Sequence, residues 1–255
     1  HWGPDDDPTP ARDHYRIAWR NMAANTGERT LIAALIPPGA AHIHGVSSAG
    51  STEGRAEDLA ALAGVLSSLL ADFAIRSAPK STISMNSVSR LPWLASTEIR
   101  RALAVRALRL NCLTEVYADL WESAFHPDFT GSEWAFRETW PDVPPLGHVD
   151  RSWSPSIPLR RAIERRQACI EIDALVAIGL GVTVDELCTI YRTQFSVLSG
   201  YDRAQYLYDA NGRLVPTEVR QAWLKKGEHL TVEERTAIHP AGTVYTYELP
   251  FRFLD

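Results

Sequence analysis

Two short runs near the start of the chain, with different hydrophobic periods, constrain the fold more than any other feature. Tyr15, Ile17 and Trp19 alternate with Arg16, Ala18 and Arg20. Successive residues of a strand point to opposite faces. This period of two therefore predicts a half-buried strand, its aromatic face on the core and its arginine face toward solvent or a ligand. Thr30 to Ile36 is apolar on both faces and predicts an interior strand. Asn25-Thr26-Gly27 between the runs is turn chemistry, and Pro37-Pro38-Gly39 ends the second run. Ala41 to Val46 reads as a third short strand with His42 and His44 on one face.

Helical spacing takes over after Ser51. Glu57 and Asp58 suit the positive end of a helix, and Leu59, Leu62, Leu66, Leu69 and Phe73 predict one amphipathic helix over Ala56 to Arg76. Lys80 to Ser89 is polar, and Leu91-Pro92-Trp93 closes this unit. Ser96 or Thr97 caps a helix expected to run to about Glu122, with Ile99, Leu103, Leu110, Leu113, Tyr117 and Leu120 inward. His126 to Pro158 is acidic and Pro-rich, carries Trp134, Trp140 and Trp153, and reads as a long ordered loop or an insertion. A helix is expected over Leu159 to Ile178, with Ile163, Ile170, Ala174 and Ile178 at helical spacing. Its Glu164, Glu171 and Asp173 are read as surface ion-pair partners of Arg160, Arg161, Arg165 and Arg166. Thr183-Val184-Asp185-Glu186 and Thr231-Val232-Glu233-Glu234 are capping boxes. Asp209-Ala210-Asn211-Gly212 is a hairpin turn between Leu207-Tyr208 and Leu214-Val215, and Thr243 to Leu249 reads as a final strand. The expected fold is mixed α+β. A tail spans 1–13, an α/β unit 14–94, and a mainly helical part with a small β-hairpin 95–255, the acidic insertion at 126–158 lying within it.

Composition narrows the function. Of 255 residues, 45% are hydrophobic and 22% charged, as in an ordinary globular chain, and no apolar run reaches membrane length. The acidic, Pro-rich start does not resemble a secretion signal. Three cysteines, Cys112, Cys169 and Cys188, argue against a disulfide scaffold; they fit a reducing cytoplasm and read as small buried hydrophobes. His1 in place of Met, and the ending at Phe251 to Asp255, read as the ends of a piece of a longer polypeptide. The net charge of −5 hides a division: 16–110 carries 11 Lys and Arg against 6 Asp and Glu, whereas 111–158 carries 2 against 8. The basic half is permissive for nucleic acid. No dinucleotide fingerprint, phosphate loop or nucleophile elbow is present, and His42-x-His44 has no third ligand at metal-site spacing. No catalytic constellation, metal or cofactor is therefore expected in this chain.

Several segments in order resemble one family. His14-Tyr15-Arg16-Ile17-Ala18-Trp19-Arg20-Asn21 and Thr26-Gly27-Glu28-Arg29-Thr30-Leu31-Ile32-Ala33-Ala34-Leu35-Ile36-Pro37 are similar to the segment that follows the catalytic domain of large adenine-N6 DNA methyltransferases. These include single-chain type IIG and IIL restriction-modification enzymes and the methyltransferases of the BREX and DISARM phage-defence systems. The leucine-rich 59–76, the polar 80–90, Leu91-Pro92 and Arg109-Leu110-Asn111 continue the series. So do 162–181 with Thr183 to Leu187, and Tyr245-Thr246-Tyr247-Glu248-Leu249-Pro250-Phe251-Arg252. The resemblance covers most of the chain from His14 except 126–158. Pro37-Pro38 and Pro144-Pro145 do not match the family's Asn/Asp-Pro-Pro-aromatic motif. The resemblance thus implies target recognition here. S-adenosylmethionine and methyl transfer would belong to an upstream domain of the same polypeptide, and duplex DNA and other defence proteins would be the partners.

Such a role needs cations for phosphates and polar groups for base edges. Arg16 and Arg20, about 13 Å apart at strand rise, are candidates for phosphates, or are surface arginines beside a core strand. Asn25, Thr26 and Arg29 at a hairpin tip are candidates for contact, or are ordinary turn residues. Lys80, Ser81, Asn86 and Arg90 lie in the polar stretch. Asparagine can read adenine and arginine guanine, whereas the competing reading is an exposed connection. The competing function is a protein-interaction module docking through the acidic, Trp-rich segment.

Overall fold

The computed structural model describes residues 9–50, 54–78, 81–136 and 143–254. The alternating run forms β1 (Arg16–Arg20), the central strand of an antiparallel sheet in which β2 (Ala33–Ile36) and β3 (Val46–Ala49) flank it. Ile17 stands opposite Leu35 and Ala49 in register. Ile17 and Trp19 are buried, and the Trp19 indole donates to Ile83 O at 2.9 Å, but Arg16 and Ala18 on the other face are buried as well, so the strand is covered on both faces and not half-buried.

The second run is therefore an edge strand, not an interior one. Apolar residues on both of its faces gave it neither a neighbour on each side nor cover on both faces. Leu31 and Leu35 are buried, while Ile32 on the other face is exposed. The third strand begins at Val46, where the 41–46 run ends, and leaves His42 and His44 exposed in the connection. Residues 11–13 form a 3-10 turn, and Arg12 O accepts from Gly39 N–H at 2.7 Å, so this part of the expected tail is tied to the sheet.

The long helix expected over 56–76 is two, α1 (Ala56–Leu66) and α2 (Leu69–Ser77), bent by 60°. Two serines explain the break. Ser67 Oγ turns back to Ala63 O, and Ser68 Oγ accepts from Ala71 N–H at 3.2 Å, restarting the helix with its own cap. No single described helix is long and apolar enough to cross a membrane. After the one-turn α3 (Met85–Val88), Ser96 caps α4 (Thr97–Asn111) through Ile99 N–H at 3.2 Å. α4 ends at Asn111, short of Glu122. A 3-10 turn at Glu115–Tyr117 and α5 (Ala118–Ala124) follow, and Leu113 is exposed. α1 and α4 approach closely because α1 offers Ala60, Ala63 and Gly64; a Cβ on Gly64 would lie 3.2 Å from Leu103 Cβ.

The acidic segment is anchored in the core by its apolar residues. Phe129, Leu146, Val149 and Ile157 are buried, and the Trp121, Phe125 and Phe129 rings meet in tilted and edge-on contacts at 5.7 to 6.1 Å. Trp140 lies outside the described residues. α6 (Ala162–Leu180) buries Ile163 as expected but otherwise presents a different face. Ile163, Ala168, Ile172 and Val176 are buried, whereas Ile178 is exposed. Glu164, Glu171 and Asp173 lie inside, not on the surface.

Thr183 opens α7 (Val184–Gln194) with the expected reciprocal capping box, and α8 (Ser196–Ala204) follows. β4 (Leu207–Tyr208), α9 (Thr217–Lys226), β5 (Thr236–Ile238), β6 (Val244–Thr246) and β7 (Arg252–Phe253) complete the chain. The turn at 209–212 closes through Gly212 N–H to Asp209 O, but Leu214 makes only one bridge to Tyr208, and β4 pairs with β7. The second capping box makes both bonds around a 3-10 turn at Glu233–Arg235. The fold is mixed α+β, with an N-terminal sheet and a mostly helical remainder.

The main core cluster runs from Ile17 to Ile157 across Leu94, so residues 14–94 share their interior with α4, α5 and the acidic segment. A smaller cluster joins Leu207, Val215, Val219, Leu230 and Phe251. Cys112 is fully buried, which pushes its thiol up to about 12; Cys169 and Cys188 are half-buried and free.

Gly212 is placed by two independent requirements. Its φ is +72°, and an added Cβ would stand 2.3 Å from Ile163 Cγ2. Gly212→Ala is expected to cost about 2–4 kcal/mol from strain and overpacking together. A thermal melt should read this as a Tm loss of several degrees; a loss under about 2 °C would show that the turn adapts.

Candidate nucleic-acid interface

β1 ends at Arg20, and the chain from Asn21 to Thr30 curls over the end of the sheet before β2 begins. A second segment is laid beside this connection. Met22 bridges to Thr82, Ala23 N–H donates to Ser81 O at 3.1 Å, and Ile83 N–H to Asn21 O at 2.7 Å. The pairing brings Ser81 beside Ala23, while Arg20, Thr26 and Arg29 line one cleft and Arg90 lines another. Lys80 lies outside the described residues.

Within this group the environments differ sharply. Asn25 and Thr26 are exposed, but Asn25 Oδ1 accepts from the Thr30 hydroxyl at 2.8 Å, which is turn-closing chemistry. Ser81, Asn86 and Arg90 are exposed, and no side-chain hydrogen bond or ion pair engages Asn86 or Arg90 among the described residues. Ser84 and Ser87 bond to each other beside them.

Arg16 departs from expectation. It is only 4% exposed. Its guanidinium donates to Ser48 Oγ at 3.3 Å and to the carbonyls of His14 and Ala40. The arginine face of β1 does not meet solvent here, because the 37–45 connection folds over it. Arg16 is thus a structural cation that ties β1 to that connection, and it falls out of the set of candidate phosphate contacts. Arg20 at the far end of the strand is half-buried; it donates weakly to Thr30 O at 3.4 Å, and its Nε is shielded from solvent without a partner.

Asp72 and Arg76, which the sequence did not single out, and Asp173, which it placed on the surface, hold the 25–31 loop from beneath. Asp72 on α2 is fully buried and accepts from Thr30 N–H at 2.9 Å and Leu31 N–H at 3.1 Å. Arg76 pairs with Asp72 at 3.3 Å, donates to the Gly27 and Glu28 carbonyls, and lies 4.3 Å from the centre of the Phe195 ring. Asp173 on α6 accepts from Arg29 Nη2 at 3.2 Å and from Leu69 N–H at 2.6 Å. Burial pushes the Asp173 carboxyl up, opposed by Arg29, the Leu69 N–H and Arg166. The one hint was that Asp173 directly follows Ile172 in a helix whose Ala168, Ile172 and Val176 share a spacing of four.

The arginines of 160–166 are likewise occupied. Arg166 makes a bidentate pair with Asp202 at 2.8 and 2.6 Å. Arg165 donates to Leu110 O and Leu159 O, and Arg160 to Pro155 O and Leu113 O. In the acidic segment, the Trp134 and Trp153 indoles donate to Pro144 O and Cys112 O, which holds that segment to its own chain.

No cluster of three or more His, Cys, Asp or Glu side chains suited to a metal ion occurs among the described residues. The chain was compared with family models, curated proteins and solved structures, and none of the three comparisons gives a match.

Proposed function

We propose that this chain is a DNA target-recognition region of a bacterial adenine-N6 methyltransferase of restriction-modification or phage defence. In this reading it binds duplex DNA and positions it for a catalytic domain carried elsewhere, to which S-adenosylmethionine and methyl transfer belong. The observation that carries the reading is the pairing of residues 21–23 with 81–83, which joins the two polar segments that follow β1 and α2. One segment carries the partly unmatched Arg20, and the other carries the exposed Asn86 and Arg90. Phosphates repeat along every duplex and call for cations, whereas base edges call for donors and acceptors free of partners within the protein. This surface offers both.

Fluorescence anisotropy on duplex DNA tests it. The chain is acidic overall, so nonspecific binding is expected at about 10⁻⁴ to 10⁻⁶ M near physiological salt. Asn86→Ala and Arg90→Ala should each cost about 1–3 kcal/mol at one base position of a cognate site and relax specificity there. Arg20→Ala should weaken all sequences alike and reduce the salt slope by about one. Arg16→Ala should lower stability and leave the slope unchanged. A duplex affinity insensitive to Arg20, Asn86 and Arg90 together would sink the proposal, as would methyl transfer from labelled S-adenosylmethionine by the pure chain.

A further inference from the structure

We propose that Arg20 and Arg29 form a discrete binding site for a phosphate group, either a backbone phosphodiester or a free phosphate. This deepens the recognition reading, but its first evidence is independent of DNA. Arg20 Nε and Arg29 Nη1 are both shielded from solvent with no hydrogen-bond partner among the described residues. A buried charged donor without an acceptor is costly, and native structures rarely leave one unexplained. Here two of them belong to side chains that line the same cleft, of about 430 Å³, together with Thr26, Gly27 and Glu28.

Of the charged groups at the cleft, Arg29 is matched by Asp173, which leaves Arg20 and Glu28. Arg20 has no carboxylate within ion-pair distance among the described residues. Glu28 lines the cleft but is engaged by the Tyr206 hydroxyl; burial first, and this carboxylate second, raise the Tyr206 phenol above its ordinary range. Arg29 is held by Asp173 through Nη2, which leaves Nη1 as the unmatched arm of the fork. A guanidinium presents its donors in a fixed plane that suits the paired oxygens of a phosphate. The loop between the two arginines is already fixed by Asp72 at Thr30 and Leu31, and by Arg76 at the carbonyls of Gly27 and Glu28. The loop backbone is therefore set before a ligand arrives.

The test titrates the full chain with sodium phosphate, and separately with a thymidine dinucleotide carrying one phosphodiester, at constant ionic strength. Arginine Nε–H resonances are followed by NMR. Both probes should saturate, with Arg20 and Arg29 signals moving. Arg20→Gln should weaken binding at least tenfold. Arg151→Gln, an exposed arginine on the acidic segment with the same change in charge, should leave binding unchanged. Arg29→Lys keeps the charge but loses the fork, and should also weaken binding about tenfold; its circular dichroism confirms that it folds. Saturation by phosphate alone would support the site and remove its DNA role. Saturation by neither probe, or equal losses in the Arg20 and Arg151 variants, would overturn the site. Duplex binding that survives Arg20→Gln unchanged would overturn its use on DNA while leaving the recognition reading to Asn86 and Arg90.

Discussion

Replacing Asp173 with alanine is expected to destabilise the chain by about 3–5 kcal/mol, the usual cost of breaking a buried ion pair from one side. The carboxylate is 6% exposed and its Arg29 partner 18%, so solvent does little to replace what is lost. Removal leaves Arg29 with no carboxylate and leaves the Leu69 N–H, in the first turn of α2, without its acceptor at 2.6 Å. Three elements meet at this one group: α6 supplies it, α2 is anchored by it, and the loop that carries Arg29 is tied down through it. The loss should therefore appear as a lower urea midpoint with an unchanged m value and a fall of about 6–20 °C in Tm. It should also appear as faster amide exchange over 24–32. Asp173→Asn keeps an acceptor for Leu69 and should lose less. An alanine variant within 1 kcal/mol of the parent would show that the loop is held by Asp72 alone.

The same carboxylate shows where reading the sequence stops. Local signals were legible: the strand at Arg16 to Arg20, though not its half-burial, the Ser96 cap and the Thr183 capping box all appear where their residues place them, because each is settled within four or five neighbours. The partners of charged residues were not. Asp173 and Glu171 stand close in sequence to Arg165 and Arg166, yet they pair with Arg29 and Arg106, which lie 144 and 65 residues away. A helix period fixes which residues share a face, but not which face turns inward when several carry charge. The break at Ser67-Ser68 was visible in principle, since two serines in an apolar run offer a cap, but the leucine spacing runs through it unbroken. For the candidate site, the polar stretch at 81–90 was readable because its residues stay exposed. The loss of Arg16 from the surface was not, because the cover comes from a connection without regular structure. The alliance of Arg20 with Arg29 depends on how the 21–30 loop curls, which no periodicity records.

Arg109→Ala is expected to cost about 2–5 kcal/mol, and the damage should begin in the acidic segment, away from α4 itself. Arg109 is 3% exposed. Its Nε donates to Ile157 O at 2.7 Å and its Nη1 to Leu146 O at 2.6 Å, with Pro145 O at 3.5 Å. No carboxylate is within ion-pair distance of it among the described residues, so backbone carbonyls stand in for the water that this cation has lost. Burial lowers its pKa to about 10, with Glu164 pulling the other way. It therefore remains charged at neutral pH, and the loss on mutation should be flat from about pH 6 to 9. Truncation leaves two buried carbonyls unmet, at about 1–3 kcal/mol each. Those carbonyls sit on both sides of Val149, whose burial with Phe129 and Ile157 attaches the segment to α5. Amide exchange should accordingly accelerate over 143–159 before the α1–α4 pair responds. Arg109→Lys supplies donors from a single point, not a fork, and should restore less than half of the loss. If Arg109→Ala instead unfolds the chain in one step, with exchange rising equally in α1 and in 143–159, the segment is not a separately anchored unit, and the arginine supports the whole core.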